Sequence, residues 1–556
     1  MKSQVIWLLA ALALHAQQAS VEQTSQGTRE PAALLDSFDG LGVGFDGPQG
    51  KYEGRNPSDN SLAVGPNHIV QTVNSRLAVF TKKGQQFQTT GKVLYGPVNT
   101  NTIFAGLHGP CEARNNGDAV VRYDQLAGRW LVTMPIFSRI PMTEVGERPP
   151  LNQAAPPGQL AAAGQASAPG PAVTPPSNPP PPQVPQGRRG PPPPAGQPVT
   201  PPPPPPPGTY AMCYAISVGP DPLGAYYRYA FERPLFPDYP RPAVWIDGYY
   251  NPTSSSDNRI SETVATQKHA CVVERSKMLK GQPASEQCLV VLNVNFLNNA
   301  DIDGTRLPPD GAPNIMMAAG GTQLDKMFEA STIDAWQFYV DWKDPAKTRI
   351  TGPERIPVAP YHYLCDGQLT NCVPQPGTER GLDAQGDKIM SRLVYRRIGN
   401  RESIVAVHSV NTAAKGGGVR WYEFQVDKAR KVSLRQQGTY APDQFFRWMA
   451  SPAIDRAGNI GIGYSFGGTP HFAGQRFAGR LVSDPPGTLT LRETVLVGGQ
   501  AAQTGTLRWE DYTTTAMDPS DGCTIWYVGD YLKKDAVSYS TKIASFRMPG
   551  CGGSRR

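Results

Sequence analysis

Acidic residues recur at similar positions in this sequence, a few residues before the centre of a short apolar strand. They are Asp59, Asp118, Asp387 and Asp511. Arginines precede several of them, and these are Arg55, Arg114, Arg241, Arg447 and Arg508. Carboxylates that are brought together repel one another unless a cation, an arginine or bound protons neutralise them. If the strands converge, the pattern therefore predicts a ligand-binding site made of these residues.

Two kinds of ligand suit such a site. A calcium ion takes carboxylate oxygens, whereas an arginine-rich pocket binds an anionic ligand such as an acidic sugar. The alternative is that each Asp fixes its own strand unit through hydrogen bonds to nearby backbone, with an Arg as its local ion pair. The sequence leaves these interpretations open.

A second candidate for calcium lies in residues 299–310. Oxygen-bearing side chains occupy loop positions 1, 3, 5 and 12, and a glycine occupies position 6, as in a calcium loop. The proposed metal ligands are Asn299, Asp301, Asp303 and Asp310. However, Asp replaces the usual Glu at position 12, and Pro308 and Pro309 forbid a following helix. An ordinary Asp-Gly turn is the alternative.

Catalytic signatures are weak in this chain. The histidines lack zinc-site spacing, and neither a nucleophile elbow nor a nucleotide-binding glycine loop occurs. Glu510 and Asp511, beside Trp509 and Tyr512, could supply a general acid and a stabilising carboxylate. Adjacent strand residues point to opposite faces, which argues against one shared substrate. The catalytic residues of any hydrolase stay unassigned.

Repeated hairpins must position these residues. Each consists of two apolar strands joined by a turn with Gly or Asn, which tolerate positive φ. Copies lie at residues 62–73, 120–132, 393–407, 451–464 and 515–527. Their spacing of about 60 residues leaves room for four strands per unit. The sequence predicts an all-β propeller of about seven blades, with six or eight blades or a β-sandwich array as alternatives.

Propeller geometry would bring the recurring Asp and Arg residues together. The segment that enters each innermost strand lies at the mouth of the central channel, so residues repeated there converge on the axis. Residues 34–551 form the predicted propeller. A proline-rich insertion at 145–208 falls inside one unit, where its proline runs cannot donate to a sheet. This insertion either recruits a partner or is a tolerated low-complexity segment.

The N-terminus predicts export. Lys2 is followed by an apolar run of about ten residues, too short to span a bilayer, and by small residues that suit cleavage. We expect a signal peptide at residues 1–16 and a disordered leader at 17–33. The net charge of +7 is spread over mixed charges without a long basic run, so nucleic acid is not the expected partner. No membrane span is expected, and the product should be secreted, periplasmic or on the cell surface.

Eight cysteines follow the predicted signal peptide. An even number in an exported protein favours disulfides, and none of these cysteines has the C-x-x-C spacing of a zinc site. Eight cysteines allow 105 pairings. Short loops favour Cys365–Cys372 and Cys271–Cys288, which leaves Cys111–Cys213 and Cys523–Cys551 by elimination.

Several segments resemble a known group of proteins. Residues 56–70, 116–124, 447–455, 508–512 and 523–527 are similar to the recurring motifs of a family of exported bacterial proteins with propeller-like repeats, a family without an assigned activity. The resemblance covers about Leu35 to Cys551 and implies export and fold, but no catalytic residues. The hairpin at Asp455 also resembles the Asp-box of sialidase-like propellers, where it is structural, although the aromatic residue of that box is missing here.

Together these observations predict an exported, disulfide-stabilised propeller that binds or scaffolds at the cell surface or outside it. Its partner would be a carbohydrate, peptide or protein at the propeller face, and calcium is the candidate cofactor. The alternative is a glycosidase-like hydrolase that acts on an acidic carbohydrate at the channel mouth. Binding predicts a rigid, broad mouth, whereas catalysis predicts two carboxyls within about 5–9 Å, one with a raised pKa.

Overall fold

The computed structural model describes residues 21–140, 155–159, 209–254, 267–292, 294, 296–320, 331–367 and 371–552. Strands dominate this part of the chain, so the prediction of an all-β fold is confirmed. The helical turns there are short: Thr100–Phe104, Pro110–Ala113, Arg275–Met278, Pro345–Lys347 and Leu364–Gly367. Within the described ranges, none of the helices has the length and apolar character that a membrane crossing requires.

Most strands form four-stranded antiparallel meanders, which we number in chain order. Meander 1 contains Ser61–Val64, His68–Val73, Arg76–Thr81 and Val93–Asn99. Meander 2 contains Val120–Asp124, Arg129–Ile140, Thr209–Ser217 and Ala225–Arg233, with Ala155–Gln159 paired to the last. Meander 3 contains Ala243–Val244, Tyr249–Tyr250, Gln267–Val273 and Glu286–Leu292, with Thr253–Ser254 paired to the third.

The later meanders follow the same plan. Meander 4 contains Asn298–Ile302, Asn314–Ala319, Thr332–Tyr339 and Arg349–Pro357. Meander 5 contains Leu393–Ile398, Arg401–Asn411, Gly417–Val426 and Val432–Tyr440. Meander 6 contains Phe446–Ile454, Ile460–Gly468, His471–Arg480 and Thr494–Val497. Meander 7 contains Thr514–Met517, Thr524–Tyr531, Ser540–Arg547 and, from the other end of the chain, Ala33–Gly42.

The first strands of the meanders lie together. They contact one another in chain order, and the first strand of meander 7 contacts that of meander 1. Hydrogen bonds cross these junctions, since Val121 N donates to Ser61 Oγ at 3.1 Å and Thr514 Oγ1 donates to Asn60 O at 3.0 Å. The first strands of meanders 4 and 5 pair in parallel, and the third strand of meander 5 pairs in parallel with the first strand of meander 6. These pairings merge meanders 4 to 6 into one large mixed sheet. The arrangement is propeller-like, with the first strands innermost.

The apolar core lies between neighbouring meanders. Leu62 of meander 1 packs in one buried cluster with Trp526 of meander 7, and Val407 of meander 5 packs in another with Trp448 of meander 6. Inner strands such as Ser61–Val64 and Ile460–Gly468 thus bury side chains on both faces of their sheets, as is expected for sheets stacked around an axis.

Turn chemistry explains the predicted hairpins. Asp455 Oδ1 accepts hydrogen bonds from the backbone N of Ala457 and Asn459, at 2.8 and 3.0 Å, and Gly458 has φ 94°. The two strands joined here pair in register from Ile454 with Ile460. Asp455 therefore stabilises its own turn, which is the structural role expected for an Asp-box hairpin.

The N-terminal segment corrects one expectation. Residues 21–33 belong to the leader that we predicted to be disordered, yet Glu22–Gln23 pairs parallel with Thr439 and Tyr440 of meander 5. Farther along, Arg29 N donates to Thr490 O at 3.0 Å. Backbone pairing holds this polar stretch although it buries few apolar side chains. The rest of the leader and the signal peptide lie outside the described residues.

All four predicted disulfides are confirmed. They join Cys111 to Cys213, Cys271 to Cys288, Cys365 to Cys372 and Cys523 to Cys551. The one cluster of possible metal ligands found among the described residues combines Cys271 and Cys288 with Glu286. Because both sulfurs of this cluster are in a disulfide, they are not thiolates and this is not a metal site.

The predicted proline-rich insertion leaves its sheet intact. The strands before and after it pair directly, with Leu131 opposite Ile216 and Ile136 opposite Ala211. The insertion itself lies outside the described residues, apart from Ala155–Gln159. Arg129–Ile140 and Thr209–Ser217 are therefore adjacent antiparallel strands of meander 2.

Candidate functional site

The segments that enter several first strands share an unusual backbone conformation. Their residues have positive φ between 45° and 64°: Asp59, Asp118, Tyr239, Gln385, Glu510 and Asp511. This region is tolerated by Asp but is a true outlier for bulky residues such as Tyr. Such strain costs on the order of 1–3 kcal/mol per residue and persists only where the surroundings enforce it. Three of these turns, at Asp59, Asp118 and Asp511, bring carboxyl groups into one polar centre, where they act on one another's charge.

Three carboxyl groups, which we call the carboxyl trio, meet there: Asp59, Asp118 and Asp238. Asp118 lies within hydrogen-bond contact of both Asp59 and Asp238. Asp59 is fully buried and Asp118 is 8% exposed. Asn74 Nδ2 donates to Asp59 Oδ2 at 2.7 Å.

Burial and mutual repulsion shape the protonation of the trio. Burial raises the pKa of Asp59 well above its usual range, and repulsion from Asp118 and Asp511 raises it further. Burial likewise raises the pKa of Asp118 well above its usual range, with added repulsion from Asp238 and Asp511. The pKa of Asp238 is raised by the same causes. The trio therefore needs bound protons or a cation to coexist.

Beside the trio, Arg508 neutralises two further acids. Its Nη2 donates to Asp511 Oδ2, and its Nε lies 2.9 Å from Asp383 Oδ2. Gln385 Nε2 donates to the other oxygen of Asp511 at 3.2 Å. Burial, followed by repulsion from Asp511, raises the pKa of Asp383 to about 8. The Arg508 side chain is 43% exposed, so this side of the site reaches solvent.

A basic and aromatic surface lies on the other side. Lys388 Nζ is 2.6 Å from Asp387 Oδ1 and 4.2 Å from the centre of the Phe296 ring. Lys268 Nζ lies 5.2 Å from the same ring, and burial lowers the pKa of Lys268 to about 8. Arg241 stacks over the ring of Tyr239, with its guanidinium carbon 3.9 Å from the ring centre. Acidic and basic groups thus share one polar centre.

The structure brings together six of the nine residues predicted for the ligand site: Asp59, Asp118, Arg241, Asp387, Arg508 and Asp511.

The other three lie elsewhere. Arg55 is exposed, and Arg114 Nη1 donates to the backbone oxygen of Ser138. Arg447 is fully buried at the start of meander 6. Its Nη1 lies 2.8 Å from Asp443 and its Nε 2.8 Å from Glu493, so it is a structural ion pair of its own meander.

Sequence reasoning missed four members of the centre: Asp238, Asp383, Gln385 and Lys388. Asp238 precedes the first strand of meander 3 by five residues, as the recurring pattern requires. In several other copies of the pattern an Arg precedes the Asp, whereas here Asp238 precedes Arg241. The pattern therefore identified only Arg241 in this copy. The other three lie on the long connection between meanders 4 and 5, where the recurring pattern marked only Asp387.

The predicted calcium loop does not form. Asn299 and Asp301 lie within the first strand of meander 4, and Asp310 is exposed in a separate turn. Arg392 Nε donates to Asp301 Oδ2 at 2.7 Å, and its Nη2 donates to Asp303 Oδ1 at 2.6 Å. A buried arginine thus occupies the carboxylates that were expected to bind calcium.

Glu510 and Asp511 do not form a catalytic pair. Glu510 Oε2 accepts from Ser465 Oγ at 2.6 Å, and Oε1 accepts from Gln475 Nε2 at 2.9 Å. Glu510 therefore points into a buried network between meanders 6 and 7, while Asp511 faces the centre. The two side chains thus point in opposite directions, as was expected for adjacent residues.

Comparisons with known proteins add no function. No family model and no curated protein matches the chain, so the Asp-box resemblance has no support from a family match. The chain is similar to the solved α-L-arabinofuranosidase from Lactobacillus brevis, with 10% identity and a TM-score of 0.26 over 58% of this chain and 95% of that one. It is also similar to a solved protein of unknown function from Dyadobacter fermentans DSM 18053, with 10% identity and a TM-score of 0.25 over 56% of this chain and 95% of that one. Likenesses this weak carry no argument.

Proposed function

We propose that the chain is an exported seven-bladed propeller that binds its ligand at the carboxyl trio, where a calcium ion would draw the carboxylates of Asp59 and Asp238 in towards that of Asp118. The observation that carries this proposal is the contact of Asp118 with two other carboxyl groups, at a place where Asp59 and Asp118 are both buried. Calcium prefers carboxylate and other oxygen ligands, and its charge would remove the repulsion.

The blade number rests on the strand contacts. Each meander supplies four strands, and the first strands contact one another in a closed cycle. The strand Ala33–Gly42 completes meander 7 by pairing with Ser540–Arg547, which ties the two ends of the ring together. Counting one blade per meander gives seven.

Export is supported by the disulfides. Such bonds persist in oxidising compartments and are rare in the cytosol. Two of the four lie within a single unit, since Cys271–Cys288 joins paired strands of meander 3 and Cys365–Cys372 closes a short loop between meanders 4 and 5. A protein outside the cytoplasm also meets millimolar calcium in many environments, which suits a site of moderate affinity.

The proposal is tested by titrating calcium into the metal-stripped protein and measuring the heat of binding by calorimetry. We expect about one equivalent to bind and Asp118→Asn to weaken binding at least tenfold, because a carboxylate ligand is lost. Without calcium the same variant should melt higher than the wild type, since one repelling charge is gone. With calcium the order should reverse.

The matched control is Asp310→Asn, which removes an exposed acid from the loop that the sequence predicted to bind calcium. We expect its calcium affinity to equal that of the wild type. Absence of calcium binding, or equal affinity in Asp118→Asn and the wild type, would sink the proposal.

A hydrolase is the second candidate, favoured by one observation. Carboxyls in contact with raised pKa values are the arrangement in which one acid keeps its proton near neutral pH and can donate it. Release of sugar from an acidic glycoside by the wild type, abolished in Asp118→Asn, would favour this candidate over simple binding.

A further inference from the structure

Arg241 presents donors that the protein itself does not use. The residue is 5% exposed and stacks on Tyr239 in the segment that enters meander 3. Its Nη1 lies 3.4 Å from Asn298 Oδ1, while Nε and Nη2 have no hydrogen-bond partner. Buried donors without an acceptor are rare, because each costs about 1–3 kcal/mol when it is left unsatisfied.

The unused edge of Arg241 is the one that recognises carboxylates in this same protein. In Arg275, Nε and Nη2 donate to the two oxygens of Asp124, at 2.7 and 3.1 Å. In Arg392 the same two nitrogens bind carboxylates of meander 4. The planar two-point fork matches the spacing of carboxylate oxygens. Arg241 therefore offers a complete carboxylate-binding edge.

The surroundings of Arg241 select the charge of a ligand. The hydroxyl of Tyr512, 2% exposed, also lacks a hydrogen-bond partner, and the Arg241 guanidinium carbon lies 5.8 Å from its ring centre. Asp118 and Asp387 act electrostatically on Arg241 as well. Because these acids repel negative charge, a monoanion such as a carboxylate fits better than a phosphate dianion.

We propose that Arg241 binds the carboxylate of a small organic acid through Nε and Nη2, next to the calcium held by the carboxyl trio. This inference rests on the proposed function in one respect, since calcium lowers the repulsion that the trio exerts on an anion. Carboxylate binding is therefore expected to strengthen when calcium is present. An acidic sugar and a simple hydroxy acid carry the same recognised group.

The experiment measures binding of D-galacturonate by calorimetry in the presence of calcium, with D-galactose as the neutral match and lactate as the carboxylate without a sugar ring. We expect galacturonate to bind at least tenfold more tightly than galactose. Arg241→Lys keeps the charge but loses the fork, and should weaken galacturonate binding at least tenfold. Arg55→Lys, an exposed arginine outside the centre, is the control and should bind normally.

Equal binding of galacturonate and lactate would assign recognition to the carboxylate alone, and tighter galacturonate binding would add the sugar ring. Failure of both acids to bind, preference for phosphate, or normal binding in Arg241→Lys would overturn the inference. If that variant does not fold, a crystal of the wild type soaked in galacturonate decides, because the carboxylate must lie on Nε and Nη2. Carboxylate binding without calcium binding would refute the proposed function alone.

Discussion

Buried acids of two kinds occur at the residue scale. Asp124 is fully buried, and Arg275 binds both of its oxygens. Glu510 and Asp530 are buried as well, but they interact with each other rather than with a base. Burial, followed by repulsion from Asp530, raises the pKa of Glu510 well above its usual range. A buried acid that lacks a basic partner has a higher pKa in the folded protein than in the unfolded chain, so it makes the free energy of unfolding depend on pH.

Asp530→Asn is expected to remove part of that dependence. Burial raises the pKa of Asp530 to about 7 in the folded protein, above the unfolded value of about 3.9. Stability supplied by the protonated form is complete below the unfolded pKa and is lost as pH rises through 7. The variant should therefore melt higher than the wild type at pH 8 and nearly equally at pH 4.

Thermal melts across this pH range measure the effect. Asn keeps an oxygen for the hydrogen bond from Asn60 Nδ2, which lies 2.6 Å from Asp530 Oδ1, so packing should be preserved. A constant difference in melting temperature between variant and wild type at all pH values would contradict the assignment.

At the element scale, a disulfide-closed connection covers the site. Cys365 and Cys372 lie at the base of the hairpin formed by Val373–Gln375 and Thr378–Leu382. Gln375 Nε2 donates to Gln503 O at 3.1 Å, which joins this hairpin to the segment before meander 7. The connection continues into Asp383 and Gln385, so its order decides where these side chains lie.

Replacing Cys365 and Cys372 by serine should loosen this connection. A loop of this size loses about 2.5 kcal/mol of stabilisation when its disulfide is removed, according to chain entropy. We expect urea unfolding to show a loss of this order and hydrogen exchange to rise in residues 371–385. The Cys523→Ser, Cys551→Ser variant is the control: it should lose more stability, but without faster exchange in that segment. Unchanged exchange in the first variant would refute the role given to the disulfide.

At the scale of the whole molecule, the two ends of the chain hold the ring closed. The strand Ala33–Gly42 pairs with Ser540–Arg547, and Leu41 is fully buried against meanders 1 and 7. Gln71 Nε2 of meander 1 also donates to Thr541 Oγ1 at 3.0 Å. Removing this strand would expose a sheet edge and the apolar side chains behind it.

A chain that begins at residue 44 is therefore expected to aggregate or to unfold at clearly lower urea than one that begins at residue 21. Comparing the two by urea unfolding and size-exclusion chromatography separates the closing strand from the predicted signal peptide. Equal midpoints and equal monomer yield would show that the ring does not depend on this strand.

The sequence alone determined the local features. Gly and Asn at hairpin turns, alternating apolar residues and the cysteine spacing predicted strands, an all-β fold and the disulfides Cys271–Cys288 and Cys365–Cys372, because turns and short loops act over a few residues. The other two disulfides followed only by elimination. The recurring Asp positions also anticipated that Asp59, Asp118 and Asp511 would meet.

Only the tertiary structure decided which polar groups share one centre. Arg447 matched the pattern but is neutralised by Glu493, a partner 46 residues away, and Asp301 and Asp303 are neutralised by Arg392. Asp383 joins the centre from a connection on which the recurring pattern marked only Asp387. Such pairings depend on contacts between distant segments, and a local pattern cannot specify which charge lies nearest in space.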